Sequence, residues 1–141
     1  MSTLVRFTAI RANAKVIPSP EIYAALHEYT QVYCAELVTE VSQYPPPPAV
    51  RVGRKEGYVR TFKLLRSWTV KDTSGGVGIS YTIRNPAQDL WGRYYSGYVH
   101  GPGDAQASFH GEHGWKNIKD FQDRDTFRAG AQAIIQKGAL L

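Results

Sequence analysis

Ile22, Leu26, Tyr29, Tyr33, Leu37, Val41 and Tyr44 recur at intervals of three or four, and four consecutive prolines, Pro45 to Pro48, follow at once. That spacing predicts an amphipathic helix, because a turn of about 3.6 residues brings these positions onto one apolar stripe. Ser19 can cap the helix, and Pro20 suits its first position, where a missing N–H leaves nothing unsatisfied. The prolines must end it, since each removes a helix hydrogen bond and clashes with the preceding turn; a rigid polyproline-like spacer is expected there. A helix this long needs a surface on which to bury its stripe. With 141 residues the chain can build one compact core, whereas two would each be marginal, so residues 1–141 read as a single domain.

The remaining segments supply a small sheet and a second helix. Residues 1–19 read as an arm or edge strand, with Val5, Phe7 and Ala9 alternating before Pro18 and Pro20. Thr61 to Ser67 is expected to be a short helical or irregular segment. Residues 67–72 and 77–84 flank the turn "TSGG" and read as an antiparallel hairpin, with Val77, Ile79, Tyr81 and Ile83 on one face. Residues 87–94 suggest a short helix and 95–100 a third strand, followed by a glycine-rich loop to 114. A last helix is expected from about 118 to 137, with Phe121, Phe127, Ala131, Ile134 and Ile135 on its apolar side and Gly130 weakening it. The expected class is α+β: a long N-terminal helix and a C-terminal helix packed on an antiparallel sheet of about three to four strands, with a long interface loop.

Charge is modest in total, a formal +5, but unevenly placed. Arg51, Arg54, Lys55, Arg60, Lys63, Arg66 and Lys71 fall between 51 and 71, opposed only by Glu56. Residues 20–43 instead carry Glu21, Glu28, Glu36 and Glu40 with no lysine or arginine. Such separation suits orientation against a neighbour of complementary charge. No run approaches the roughly 20 apolar residues of a membrane span, and the beginning of the chain lacks the apolar core of a secretory signal, so synthesis in the cytoplasm is favoured. Cys34, the single cysteine, reads as a small core residue.

The stretch "YYSGYVHGPGDAQASFHGEHGW" poses the chemical question. His100, His110 and His113, with Asp104 or Glu112, contain metal-ligand residue types, but no HExxH sequence occurs and His110 with His113 is a weak spacing match, so surface histidines or hydrogen-bonded loop anchors are the favoured roles. Ser96, Ser108 and Asp104 stand near histidines without a nucleophile-elbow pattern, and neither "GPGDA" nor "TSGG" is a phosphate-binding signature. Nucleic-acid binding competes better, because Tyr58, Phe62 and Trp68 interleave with the basic run, yet no nucleic-acid-binding motif accompanies them. An interaction surface accounts for more of the chain. Its candidate contacts are Arg54, Lys55, Arg60, Lys63, Arg66, Tyr94, Tyr98, His100, Phe109, His110 and Trp115, with Glu28, Glu36 and Glu40 as a complementary acidic face.

Arg60, Thr61, Leu64 or Leu65, Ser67 and Trp68, then the hairpin "GVGISYTIRN", then Tyr95, Tyr98, Val99 and Gly101, and a final helix, resemble the small minor tail or tail-completion proteins of long-tailed bacteriophages, the group that includes lambda tail protein Z. The resemblance runs over about residues 20–138. It departs from that group where "YVHGPGDAQASFHGEHGW" replaces a "Y-x-x-Y-x-E-x-G-T" stretch and a proline-arginine segment. The resemblance implies a non-enzymatic virion protein at the head-to-tail neck or upper tail. It implies copies in a ring, hexameric or dodecameric, beside neck, connector or tail-tube proteins, with non-specific contact to packaged DNA open, and no cofactor, metal or membrane. A tail terminator, a head-tail adaptor or stopper, and a basic nucleic-acid-binding module remain as alternatives.

Overall fold

The computed structural model describes residues 3–10, 19–44, 63–75, 78–88, 91–102, 105–106, 111–112, 114–121 and 125–139. Strands β1 (Thr3–Ile10), β2 (Thr69–Asp72) and β3 (Ile79–Arg84) make one antiparallel sheet in the order β1-β3-β2. The expected hairpin is β2 and β3, paired with Val70 opposite Ile83 and Lys71 opposite Thr82. Its turn is set by polar side chains: Asp72 Oδ1 accepts from the Ser74 amide at 2.8 Å, and the Thr73 amide donates to the Ser80 carbonyl at 2.8 Å. The N-terminal arm supplies the third strand, with Phe7 opposite Tyr81 and irregular steps near each end.

Helix α1 (Pro20–Val41) crosses one face of the sheet. Ser19 caps it, its hydroxyl accepting from the Ile22 amide at 3.3 Å, and Pro20 stands at its start. Its most deeply buried residues are Leu26, Thr30, Cys34 and Val41, while Ile22, Tyr29, Tyr33 and Leu37 of the expected stripe are half-buried beside them. Long tyrosines flank the contact and smaller side chains fill its centre. Thr30 can sit there because its hydroxyl donates to the Leu26 carbonyl at 2.7 Å. Against this helix the sheet turns Val5, Phe7, Ile79, Tyr81 and Ile83. Each large apolar side chain so buried stabilises the fold by about 1.5–3 kcal/mol.

The terminal helix, α4 (Asp125–Ala139), packs along α1 with Phe127 and Ala131 buried. It starts later than expected. Residues 118–121 form a separate 3-10 turn, in which Ile118 reaches the core and the Asp120 amide donates to the Asn117 carbonyl at 3.0 Å. Ile135 is half out of the contact, 39% exposed, and Gly130 faces the Tyr29 ring. The glycine that weakens the helix by propensity therefore lies at a close approach to α1.

Two expectations between 87 and 100 are corrected. The described residues of 87–94 are not helical: Gln88 bridges Tyr94 in an antiparallel pair, and Gly92 takes a positive φ of 77° that ends any helical run. Residues 95–100 are not a strand but a short helix, α3 (Tyr95–His100). Ser96, Val99 and His100 are all buried, a three-and-four spacing that one helix face can meet and an alternating strand cannot. Short helix α2 (Lys63–Arg66) precedes β2, as the sequence allows.

Candidate functional site

The most densely built polar-aromatic cluster surrounds His100. Helix α3 brings it inward and Gly101, at φ 94°, turns the chain away behind it. His100 is fully buried, and its Nδ1 lies 2.7 Å from the Lys116 carbonyl. A carbonyl only accepts, so Nδ1 carries the proton and the tautomer is set. Trp68, Trp115 and Tyr44 enclose the imidazole at centroid distances of 5.5, 5.7 and 6.0 Å. The Trp68 indole donates to the Tyr44 hydroxyl at 2.9 Å, tying the end of α1 to the start of β2.

Gln106 closes the cluster from the loop side. Its amide nitrogen donates to the Val99 and Trp115 carbonyls, each at 2.9 Å, and its oxygen accepts from Asn117 at 3.1 Å. One side chain thus satisfies a carbonyl of α3 and that of Trp115, and holds α3 against the segment that carries Trp115. Asn85 acts similarly on the other side, donating to the Leu64 carbonyl at 2.8 Å and accepting from the Ala87 amide at 3.2 Å. The result is a clamp of polar groups that ties α3 to the segments on either side of it. It can fix loops.

A second polar group lies under α1. His27 Nδ1 is 2.9 Å from the Tyr81 hydroxyl and 3.8 Å from Asp72 Oδ2. Burial raises the Tyr81 phenol, and hydrogen bonds from Ser74 lower the Asp72 carboxyl. Burial also pushes the Cys34 thiol up to about 12, consistent with an inert core residue. Among the described residues no three histidines, cysteines or carboxylates could hold a metal ion, and no helix is long and apolar enough to cross a membrane.

The candidate contacts divide sharply. His100 is buried and acts as an internal anchor through the Lys116 carbonyl. Trp115 is half-buried against Tyr44, at 4.5 Å between centroids, and Tyr94 is half-buried where it bridges Gln88. Arg66 is exposed; Lys63 and Tyr98 lie on α2 and α3. Arg54, Lys55, Arg60, Phe109 and His110 lie outside the described residues, as do Asp104 and His113. Glu28 and Glu36 are exposed on α1, while Glu40 pairs with Lys116 of the same chain at 3.3 Å.

What sequence reading missed is the other face of the sheet. Arg6, Thr8, Thr69, Lys71, Thr73, Ser80, Thr82 and Arg84 point away from α1, joined by hydroxyl contacts such as Thr73 to Thr82 at 3.0 Å. Their alternation was visible within each strand, but only the register assembles it into one surface. Comparison with protein-family models, with curated proteins and with solved structures finds no match.

Proposed function

We propose that this chain is a non-enzymatic structural subunit of a tailed-phage particle, which completes or joins the tail at the head-to-tail neck by forming a ring of copies. The observation that carries the reading is the one-signed outer surface of α1: Glu21, Glu28 and Glu36 are exposed there, with no lysine or arginine from 20 to 43. A helix whose inner side is committed to the core and whose outer side bears one sign is suited to orient a subunit against a differently charged neighbour. The residues that carry the family resemblance support a scaffold role rather than a chemical one, since Trp68, Val99 and Gly101 belong to the clamp around His100. Neck, connector or tail-tube proteins are the expected neighbours. The test is a density map of particles made by the genome that encodes this chain, with mass spectrometry of the purified particles. Copies in a ring at the head-tail junction are expected; particles that lack the chain would refute the assignment.

A further inference from the structure

The sheet has two unlike faces. One packs on α1 and α4; the other carries Arg6, Lys71 and Arg84 among the hydroxyls of Thr8, Thr69, Thr73, Ser80 and Thr82. No carboxylate stands on that second face among the described residues, because Asp72 turns toward His27 and the Ser74 amide. Arg6 and Lys71 are exposed, and a depression of about 430 Å³ opens between Arg6, Thr8, Thr73 and Ser80. This polar cationic face and the acidic outer side of α1 lie on opposite sides of the same molecule.

Spacing relates the two. Arg6 pairs with Thr82 and Thr82 with Lys71, so one cross-strand row places the two exposed cations on either side of a buried threonine. Two interstrand steps separate their backbones by about 10 Å. On α1, Glu21, Glu28 and Glu36 succeed one another after seven and eight residues, about two turns each, so neighbouring carboxylates are about 10–12 Å apart along the helix. Between them Ala24, Val32 and Ala35 are also exposed, Val32 at 49%, and their small side chains let a backbone approach.

From this complementarity we infer that the outer side of α1 in one copy docks on the cationic sheet face of the next copy, with successive carboxylates of Glu21, Glu28 and Glu36 meeting the exposed Arg6 and Lys71. The inference rests on the assembly reading above and names its contact. Because each copy carries both halves on opposite sides, the contact is head-to-tail; it closes into a ring if the rotation permits and otherwise extends. The hydroxyls supply donors to the carboxylates as well as the cations do.

Sedimentation velocity on the full chain tests this, at about 50 mM and about 500 mM salt, where screening lengths differ several-fold. The expected result is concentration-dependent association at low salt that the higher salt weakens. Arg6→Glu with Lys71→Glu, and separately Glu21→Lys with Glu28→Lys, should each weaken association by about tenfold or more, since attraction becomes repulsion at two positions. An equimolar mixture of the two variants should associate again, because each restores the other's missing complement. Variants that associate like the parent chain overturn the inference, as does a mixture that stays apart, or a parent chain monomeric at low salt up to its solubility. Should a reversed variant fail to fold, Arg6→Gln with Lys71→Gln gives the same reading through a smaller loss, about threefold, and unchanged association then overturns the contact. Intact association in those variants removes this contact but leaves the neck assignment standing. Absence of the chain from particles removes the neck assignment and leaves the contact to the sedimentation result.

Discussion

Gly130→Ala sets two effects of opposite sign against each other at the contact of α4 with α1. Replacing a mid-helix glycine by alanine gains about 1 kcal/mol from propensity alone. At this position, however, the new methyl group would overlap the Tyr29 hydroxyl and ring. Tyr29 cannot easily withdraw: its hydroxyl donates to the Phe127 carbonyl at 3.0 Å, and its ring stacks on Phe127 at 5.4 Å with an interplanar angle of 19°. Overpacking costs about 1–3 kcal/mol, and loss of the Tyr29 hydrogen bond adds about 1 kcal/mol. Steric cost therefore outweighs propensity, for a net loss of about 1–3 kcal/mol. In a chain of this size that lowers the melting temperature by about 3–10 °C. Urea unfolding in a double-mutant cycle separates the terms. With Tyr29→Ala as background the obstruction is gone, so Gly130→Ala should there stabilise by about 1 kcal/mol, a coupling of about 2–4 kcal/mol. If Gly130→Ala raised the unfolding midpoint in the parent chain, or changed both backgrounds equally, the close approach of α1 and α4 would be wrong.

Two further outcomes follow from buried groups. Gln106→Glu replaces an amide that donates to the Val99 and Trp115 carbonyls by a carboxylate that repels them, so stability should fall by about 2–4 kcal/mol in urea unfolding, with the near-ultraviolet dichroism of the Trp68–Trp115 cluster reduced. Cys34 is raised by burial from its ordinary 9.0 to about 12 in the folded chain, so the unfolded chain ionises first; the contribution is complete below pH 9.0 and is lost as pH rises toward about 12. Melting temperature should therefore decline over that interval, and Cys34→Ala should make the decline shallower. The raised phenols of Tyr29 and Tyr81 maintain part of it above their ordinary 10.0.

The long elements were legible because their signals are local and redundant. Ser19, Pro20 and a seven-membered apolar series all point to α1, and the β2–β3 hairpin has both its alternation and its turn residues adjacent in sequence. Residues 95–100 were misread because six residues hold less than two helical turns, too few to separate a period of two from one of about 3.6 when aromatics stand at several positions. The interruption before α4 follows a different rule. Asn117 caps the 3-10 turn through its side chain, which accepts from the Lys119 amide at 3.0 Å, and a continuous apolar pattern conceals that local competition.

The candidate site was harder because consecutive residues do not share a surface in a sheet. The basic run from 51 to 71 attracts attention as a run, yet the cations that the described strands place together are Arg6, Lys71 and Arg84, drawn from three strands. Neither Arg6 nor Arg84 belongs to that run. The aromatic-histidine stretch misleads in the converse way: its residues are near in sequence, but His100 is buried and Trp115 packs inward on Tyr44, while Trp91, just before the stretch, is 76% exposed beneath Arg93. Sequence proximity concentrates residue types; register and helix phase decide which of them meet solvent. Charge reversal at Arg6 and Lys71 therefore probes a surface that only the strand register defines, and an equal effect from reversing buried-face positions would not be expected of it.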